Sequence, residues 1–431
     1  MNKLNVILVY NKEKEKVLMC KREKEPYKGK LNLVGGKVEK GENELDAAYR
    51  ELQEETGITN KDITLTHIMN FEYKISDIEL EVYAGKLNKD VNLVEELNRY
   101  SKLGEDVLKA GKYALVTMSG GQGTRLGYDK PKGEFVVDIY PKAMSLFEIL
   151  ANKLKQVNEK YNTILPWYIM TSIENNEEII GFFETNNYFE YPSEYIKFFK
   201  QDNLPLITEN KKLILGKDKL IKEAANGNGG IFNSMFKNNI LKDMQDKNIE
   251  WIFISSIDNI LLKIADEILI GLAVDKKVEI ATKSLRRNSP EEKVGAICKN
   301  NGKVYVIEYS EMSDEMKNAK NDDGELKFSE SHIMCNLFSI KALEKLAQKS
   351  LPYHIAHKKS EFLNSNGIIE KPETPNVYKF ETFIFDSWTY FNDIAILRGK
   401  REEDFAPIKN KEGVDSPQTA IELYNNYIKE N

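Results

Sequence analysis

The chain has 431 residues, 30% of them charged, and a formal net charge of −6 at pH 7. This balance gives no basic surplus for nucleic-acid binding, and no apolar run approaches the roughly 18–20 residues that span a membrane. The length predicts about three structural units. We expect a cytoplasmic protein, because the N-terminus lacks a signal-peptide pattern and Cys20, Cys298 and Cys335 are scattered like reduced core thiols.

The N-terminal segment predicts a small α+β fold. Apolar segments indicate strands at Asn5–Tyr10, Val17–Cys20 and Lys30–Val34, and a helix is expected from about Asn43 to Thr56. Further strands are predicted at Leu65–Phe71 and Leu80–Ala84.

The predicted helix carries three glutamates on one face. Glu51, Glu54 and Glu55 are spaced i, i+3 and i+4, so their carboxylates lie side by side. Like charges at this spacing repel each other. A hard divalent cation with oxygen ligands is the natural compensation, and the helix therefore predicts a site for Mg²⁺ or Mn²⁺.

This segment resembles the Nudix hydrolases, whose box has a glycine, a glutamate and an Arg-Glu-apolar-x-Glu-Glu helix at fixed spacing. The chain carries the fixed positions Gly36, Glu42, Arg50, Glu51, Leu52, Glu54, Glu55, Gly57 and Ile58. The resemblance implies that Glu51, Glu54 and Glu55 hold the metal on a nucleoside diphosphate derivative, with Glu54 also catalytic. Arg50 would orient the carboxylates, and Glu42 would assist the metal or its water.

The Nudix-like segment looks shortened. The chain turns polar at Asn88, where the family usually continues with another strand and a closing helix. Three interpretations stay open: a working hydrolase completed by the neighbouring domain, a degenerate copy, or a non-catalytic module that binds or regulates. We assign this domain to residues 1–92.

A glycine-rich loop follows the next buried strand. An amphipathic helix is predicted at Val94–Lys109, and the apolar run Tyr113–Met118 indicates the strand. Glycine lets backbone N–H groups close around an anion, and fixed cations at a strand end suit a polyphosphate. The loop combines both features in Gly120, Gly121, Gly123, Arg125, Gly127, Lys130, Lys132 and Gly133.

Spacing excludes two common phosphate loops. A Walker A loop needs Lys-Ser/Thr after its second glycine, whereas Tyr128 and Asp129 follow Gly127. The dinucleotide fingerprint needs a third glycine where Leu126 stands.

The loop resembles instead the signature of the UDP-sugar pyrophosphorylases, especially the UDP-N-acetylhexosamine pyrophosphorylases. Their Gly-Gly-x-Gly-Thr-Arg-Leu-Gly pattern and the Pro-Lys-Gly that follows begin here at Gly120 and Pro131. Arg125 would then hold the departing pyrophosphate, and Lys132 would lie near the α-phosphate. The implied cradle for UTP consists of Gly120, Gly121, Gly123 and Thr124.

Helices and apolar strands alternate after this loop, which implies a mainly parallel sheet with helices on both faces. Helices are predicted at Met144–Val157 and Glu177–Asn186, and strands at Ile164–Met170, Tyr195–Phe199, Trp251–Ser255 and Val278–Thr282. With the resemblance, the expected fold class is α/β: a Rossmann-like, GT-A-like nucleotidyltransferase domain with a mixed, mainly parallel sheet, preceded by the α+β Nudix domain. We assign residues 93–345 to the catalytic domain and residues 346–431 to a small C-terminal region.

Further motifs shared with the pyrophosphorylases imply nucleotide and metal contacts. Gln201 would contact uracil, because an amide offers both a donor and an acceptor to an imide edge. Asn228 and Gly229 would lie over the nucleotide and sugar. Asp258, which follows an apolar strand, would coordinate Mg²⁺ or Mn²⁺.

The same resemblance implies a hexose pocket and two phosphate-binding lysines. The pocket would be lined by Gly295, Glu308 and Asn336, with Phe383 and Phe385 flanking the acyl group of the sugar. Lys379 and Lys409 would approach phosphate. His354 and His357 have the i, i+3 spacing of a helix, and no third metal ligand is apparent beside them.

The combined interpretation is a uridylyltransferase that makes UDP-N-acetylglucosamine and pyrophosphate from UTP and N-acetylglucosamine 1-phosphate. One alternative is a UTP-glucose-1-phosphate uridylyltransferase or a broad UDP-sugar pyrophosphorylase, because the sequence does not place the contacts that distinguish the sugars. A second is hydrolysis of a nucleoside diphosphate derivative by residues 1–92. No nucleic-acid or membrane partner is expected.

Overall fold

The structure, a computed structural model, describes residues 2–11, 14, 16–22, 29–74, 76–88, 93–321 and 324–430. The chain divides into two compact units, one formed by Met1–Arg99 with Ile428–Asn431 and the other by Tyr100–Tyr427. The boundary that we predicted at residues 92/93 adjoins residues 89–92, which lie outside the described residues. No helix in the described part is long and apolar enough to cross a membrane.

The first unit packs one helix against a three-stranded sheet. Its strands lie in the order β1-β5-β4, with β1 parallel and β4 antiparallel to β5. The strand predicted at Val17–Cys20 is wrong in extent, since only a two-residue ladder forms there. The elements are β1 Asn2–Tyr10, β2 Cys20–Lys21, β3 Leu31–Asn32, α1 Glu44–Thr56, β4 Ile63–Tyr73 and β5 Ile78–Leu87.

The predicted glutamate-bearing helix forms as α1. Asn43 caps it by accepting hydrogen bonds from the backbone N–H groups of Leu45 and Asp46, and Gly57 ends it at φ 73°, a conformation that glycine adopts without strain. The apolar side of α1, including Ala48 and Leu52, packs in one core with the sheet. The carboxylates therefore lie on the opposite, polar face of the helix.

The second unit is built around a nine-stranded mixed sheet. Strands β10, β9, β6 and β14 run parallel, β18 is antiparallel between β14 and β15, and β23 is parallel to β15. The elements in chain order are α2 Leu93–Lys109, β6 Tyr113–Met118, β7 Val136–Val137, β8 Met144–Ser145, α3 Leu146–Tyr161, β9 Trp167–Thr171, α4 Asn176–Thr185, β10 Ile196–Lys200, β11 Asn203–Pro205, β12 Ile207–Thr208, β13 Glu223–Ala225, α5 Ile231–Lys237, α6 Ile240–Asp246, β14 Trp251–Ser256, α7 Glu267–Lys276, β15 Ile280–Arg286, β16 Ala296–Asn300, β17 Lys303–Ile307, α8 Asp314–Asn318, β18 Glu330–Ser339, α9 Ile340–Leu346, β19 His354–Lys358, β20 Phe362–Leu363, β21 Ile369–Glu370, β22 Val377–Glu381, β23 Ala395–Arg398, α10 Arg401–Asp404 and α11 Pro417–Glu430.

Both faces of this sheet are covered by apolar cores, which confirms the predicted α/β class. Alternate residues of β6 enter opposite cores: Leu115 packs with Trp167 on one face, whereas Val116 packs with Tyr168 on the other. All six residues of β6 are buried. A strand that is buried on both faces has a continuous apolar sequence, and this is why the sequence predicted β6 clearly.

A bulge in β18 and a second small sheet were not predicted. Thr282 pairs with Asn336 and Ser284 with His332, so Lys283 alone faces three residues of β18, and Met334 in their middle has φ 56°. The small sheet has the order β12-β22-β19. His354 and His357, whose spacing would also suit a helix, lie on the strand β19.

Candidate functional site

The glycine-rich loop leaves the carboxyl end of β6 and folds back on itself. The N–H of Gly123 donates to the carbonyl of Lys130 at 2.9 Å, and the N–H of Lys132 donates to the carbonyl of Gly121 at 3.1 Å. A Cβ added to Gly121 would meet no atom within 4 Å. Part of the loop backbone is thus open to a ligand while two hydrogen bonds fix its ends.

Gln201 lies directly beside this loop. A Cβ on Gly120 would be 3.2 Å from the backbone nitrogen of Ser172 and 3.3 Å from Oε1 of Gln201, so only glycine fits without displacement. Gln201 is buried, and its Nε2 donates to the carbonyl of Gly227 at 2.6 Å. The first glycines, the amide predicted to read uracil and the Asn-Gly loop therefore meet at the ends of adjacent strands.

Two other glycines of the motif serve packing and turning. A Cβ on Gly133 would collide with the ring of Phe147, and Gly127 has φ 71°. A Cβ on Gly127 would lie 3.7 Å from the side chain of Lys411, so the C-terminal segment runs close to the loop. Thr124 and Arg125 lie just before Gly127 in a short 3₁₀ turn, Thr124–Leu126, and are exposed.

An acid between two lysines lies beyond the end of β14. Nζ of Lys132 is 3.1 Å from Oδ2 of Asp258. Burial alone would raise the pKa of Asp258, but the positive charges of Lys132 and Lys409 outweigh it and lower that pKa. The N–H of Ile408 donates to the Asp258 carbonyl at 2.9 Å, which ties the C-terminal segment to this strand end. Asp258 is therefore an ionised carboxylate.

A cavity of about 200 Å³ opens at this acid. Three predicted residues from distant parts of the chain, Asn228, Asp258 and Lys409, line it together with Phe405 and His332. The ammonium of Lys409 lies 3.3 Å from Oδ2 of Asp415 and 5.2 Å from the centroid of the Phe405 ring.

The Asn-Gly loop and the phenylalanine segment are hydrogen-bonded to each other. Oδ1 of Asn228 accepts from the N–H of Ile384 at 2.8 Å, and the N–H of Gly229 donates to the carbonyl of Thr382 at 2.8 Å. Phe383 and Phe385 stack at 5.2 Å between ring centroids. The loop that reaches the cavity therefore also fixes the backbone between these two rings.

The three residues predicted for the hexose pocket come together. A Cβ on Gly295 would lie 2.7 Å from Val306 and 3.7 Å from Oε1 of Glu308. The Gly295 carbonyl accepts from the N–H of His332 at 2.9 Å, and Nε2 of His332 is 2.9 Å from Oδ1 of Asn336. Burial raises the pKa of Glu308. Within the described residues, the buried Nδ2 of Asn336 has no partner.

Lys379 and Arg125 stand apart from this arrangement. The ammonium of Lys379, on β22, is bound to Glu381 at 2.8 Å, and Lys379 does not line the cavity at Asp258. Arg125 makes no side-chain hydrogen bond or ion pair in the part of the chain that the structure describes, and it is exposed on its turn.

Two histidines near the site, His332 and His354, were not predicted from the sequence to be site residues. His332 lines the cavity, and burial lowers its pKa to about 4, so its ring is neutral. Its spacing to Asn336, four residues along a strand, was a usable signal for a shared face. His354 bridges Glu311 and Asp386 at 2.8 and 2.9 Å. Those carboxylates are distant in sequence, so no local pattern marks them as its partners.

In the first unit, Arg50 gathers the acids of the Nudix-like box. Its guanidinium donates to Glu42 at 2.8 Å, to Glu51 at 2.7 Å and to Glu54 at 3.4 Å. A hydrogen bond from Arg50 lowers the pKa of Glu42. The N–H of Gly35 donates to Oε2 of Glu55 at 3.4 Å. The acids are thus held around the glycine turn by charge-assisted bonds.

The fit of a divalent cation differs between the two units. In the first, the missing Cβ of Gly36 makes room for the Glu51 carboxylate, which a methyl there would strike. Carboxylate oxygens are the donors that Mg²⁺ prefers, so the residue types fit. Yet among the described residues no three His, Cys, Asp or Glu side chains converge as a metal cluster, in either unit. In the second unit Asp258 is the protein's carboxylate donor at the cavity, so phosphate oxygens would have to supply further ligands.

Comparison with protein families gave two matches. A family model described as UTP–glucose-1-phosphate uridylyltransferase matches residues 69–416, and a NUDIX domain model matches residues 1–91. The first covers most of the chain. The second covers the segment that carries α1 and its glutamates.

Individual relatives agree with the larger match. The chain is 37% identical to UDP-N-acetylglucosamine pyrophosphorylase of Saccharomyces cerevisiae over 76% of this chain and 71% of that protein. A probable UDP-N-acetylglucosamine pyrophosphorylase of Dictyostelium discoideum is 33% identical over 86% and 80%. Among solved structures, a putative UDP-N-acetylglucosamine pyrophosphorylase of Entamoeba histolytica has a TM-score of 0.70 and 34% identity, covering 76% of this chain and 84% of that one.

Proposed function

The chain belongs to the UDP-sugar pyrophosphorylases of the UTP–glucose-1-phosphate uridylyltransferase family, and we propose that it makes UDP-N-acetylglucosamine and pyrophosphate from UTP and N-acetylglucosamine 1-phosphate. The observation that carries this proposal is the position of Asp258, which pairs with Lys132 and lines the cavity beyond β14 together with Lys409, although the three residues come from distant segments. The names of the relatives support the amino sugar as substrate over glucose.

The reaction needs positioning and charge neutralisation. A phosphate oxygen of the sugar phosphate attacks the α-phosphorus of UTP in line, the bond to the bridging oxygen breaks, and pyrophosphate leaves with the electron pair. No covalent bond to the protein forms. Fixed donors and cations that meet the charge developing on the phosphoryl oxygens lower the barrier.

Each charged group has a separate task in this mechanism. Lys132 meets the charge on the α-phosphate, Arg125 binds the departing pyrophosphate, and Lys409 binds the sugar phosphate. Lys379 serves the same phosphate once it leaves Glu381. A divalent cation on Asp258 neutralises phosphate charge when bound. The backbone N–H groups of Gly121 and its neighbours bind the triphosphate.

The remaining residues bind the uracil and the sugar. Gln201 offers an amide to the uracil, and the nucleotide lies under the loop at Asn228 and Gly229. The sugar contacts Gly295, Glu308 and Asn336. Asn336 has a buried donor, Nδ2, for a sugar oxygen. Phe383 and Phe385, stacked at 5.2 Å, present apolar surface to an acyl methyl group.

The test is pyrophosphate release from UTP and Mg²⁺ with a panel of sugar 1-phosphates. We expect kcat/KM for N-acetylglucosamine 1-phosphate to exceed that for glucose 1-phosphate and N-acetylgalactosamine 1-phosphate. A preference for glucose would overturn the substrate. If no sugar 1-phosphate led to release of pyrophosphate, the proposed transferase activity would be overturned.

A second candidate function is hydrolysis by the first unit. The specific observation in its favour is the gathering of Glu42, Glu51 and Glu54 around Arg50, with room for the Glu51 carboxylate at Gly36. Metal-dependent hydrolysis of a nucleoside triphosphate and dinucleotide panel by the full chain is the test. Binding without turnover would favour the non-catalytic module.

A further inference from the structure

His354 joins two segments that carry predicted sugar contacts. Its Nδ1 lies 2.8 Å from Oε1 of Glu311, and its Nε2 lies 2.9 Å from Oδ2 of Asp386. The N–H of Glu311 donates to the carbonyl of Glu308 at 2.9 Å, so Glu311 belongs to the same turn as Glu308. One ring therefore contacts both the turn after β17 and the segment after β22.

The contact on the second side reaches the phenylalanine segment directly. Oδ2 of Asp386 accepts from the N–H of Phe383 at 3.3 Å, and the His354 ring lies 4.5 Å from the Phe383 ring. Asp386 is almost fully buried. Because Phe383 stacks on Phe385, the position of both rings depends on the bonds that His354 makes.

We propose that His354 is a positioning residue that holds the Glu308 turn and the Phe383 segment together as the two walls of the sugar pocket. This role rests on the proposed transferase function. His354 does not touch the reacting phosphates; it acts through Glu311 and Asp386.

To hold both carboxylates, the ring of His354 must be doubly protonated. A neutral imidazole donates only one hydrogen bond, whereas the imidazolium donates two, and here both nitrogens face carboxylates. Burial lowers the pKa of His354, but the bonds to Glu311 and Asp386 outweigh it and raise that pKa above its usual value. Its cross-strand neighbour Glu381 is already bound to Lys379.

Loss of the proton from His354 would separate the Glu308 turn from the Phe383 segment. Glu308, Glu311 and Asp386 would then face one another with no cation between them, and like charges at short range repel. We therefore expect the KM for the sugar phosphate to rise with pH as His354 loses its proton. The KM for UTP should change less, because His354 reaches the Asn228 loop over the nucleotide only indirectly, through the Phe383 segment.

The experiment compares His354→Asn with His357→Asn. His357 lies on the same strand, is exposed, and pairs with Glu209 at 3.1 Å, so it is a matched control. We expect His354→Asn to raise the KM for N-acetylglucosamine 1-phosphate roughly tenfold or more, since charge-assisted bonds are lost. The KM for UTP should change by less than about twofold, and the control should match wild type in both.

A second variant keeps the proposal testable if His354→Asn folds poorly. Glu311→Gln changes a partly exposed side chain and removes one anion beside the ring, so the rise in sugar-phosphate KM should begin at lower pH than in wild type. A parallel rise of both KM values in His354→Asn, or an unshifted pH profile in Glu311→Gln, would overturn the role of His354. Failure of wild type with every sugar phosphate would instead overturn the transferase.

Discussion

The two units each carry a cluster of acids and cations, and the clusters differ in which charge is in surplus. In the first unit Arg50 faces Glu42, Glu51 and Glu54 within 3.4 Å. In the second, Asp258 lies 3.1 Å from Lys132 and also feels the charge of Lys409.

The sign of the surplus indicates what each cluster can attract. A group of carboxylates with one guanidinium favours a divalent cation, which must come before any phosphate. In the second unit the acid is already paired with lysine, and the glycine loop, with its exposed Arg125 and Gly121, favours a polyphosphate directly. The two clusters consist of the same kinds of charged side chains and yet predict different chemistry. Substitutions that change the charge of either cluster test this difference.

The largest effect is expected from Lys132→Ala. The change removes the cation next to Asp258 and leaves that carboxylate to repel the α-phosphate, so kcat for uridylyl transfer should fall roughly 10²–10³-fold. Steady-state pyrophosphate release measures it. Lys142→Ala, an exposed lysine paired with Glu148, is the control and should stay near wild type. Turnover near wild type in Lys132→Ala would contradict the mechanism.

Glu54→Gln should separate the two units. Removing one negative charge from the Arg50 cluster weakens its hold on a metal ion, so any metal-dependent hydrolysis should be lost while uridylyl transfer is unchanged. Both rates are measured on the same preparation of the full chain. Glu44→Gln, on the same helix but paired with Lys3 at 2.7 Å, is the matched control. Equal loss in both variants would point to a damaged helix instead of a lost metal ligand.

The smallest effect concerns stability and has opposite signs in the two units. Burial raises the pKa of Glu134, behind the glycine loop, from 4.5 to about 6, so its ionisation destabilises the fold as pH rises through this range. Glu134→Gln should therefore raise the stability of the second unit by about 1–2 kcal/mol at pH 8 and change nothing at pH 4.

The first unit supplies the contrast. The pKa of Glu42 is lowered by Arg50, so its contribution is present at neutral pH and is lost as pH falls through that lowered value. Glu42→Gln should then destabilise at pH 7 and not in strong acid. Calorimetry of each variant at both pH extremes measures these slopes, and slopes of the same sign in both variants would refute the contrast.

Sequence reasoning succeeded where one physical rule dominates. The strand Tyr113–Met118 was predicted with its observed bounds because both of its faces are buried, and α1 was recognisable from the spacing of its side chains. The expected α/β class and family membership followed from the same elements. The proximity of Gly120 to Gln201 is consistent with the rule that ligands lie at the carboxyl ends of strands.

The rest depends on contacts that no local pattern contains. β19 and β22 are short, partly exposed strands with mixed composition, so nothing in the sequence separated them from loops. The bulge at Met334 arises from the register in which β15 pairs with β18, and that register depends on contacts between residues far apart in sequence. Likewise the bond from Lys379 to Glu381 depends on the pleat of a strand whose existence was not predicted.

The placement of Lys409 and β23 at the far end of the sequence has a consequence for biosynthesis. The segment 1–99, which forms most of the first unit, is made early, whereas the cavity at Asp258 acquires Lys409 only some 310 residues later. At ribosomal speeds of about 5–20 residues per second, roughly 15 to 60 s separate the two events. A nascent chain therefore carries the glutamate-bearing segment of the first unit well before it can bind a sugar phosphate.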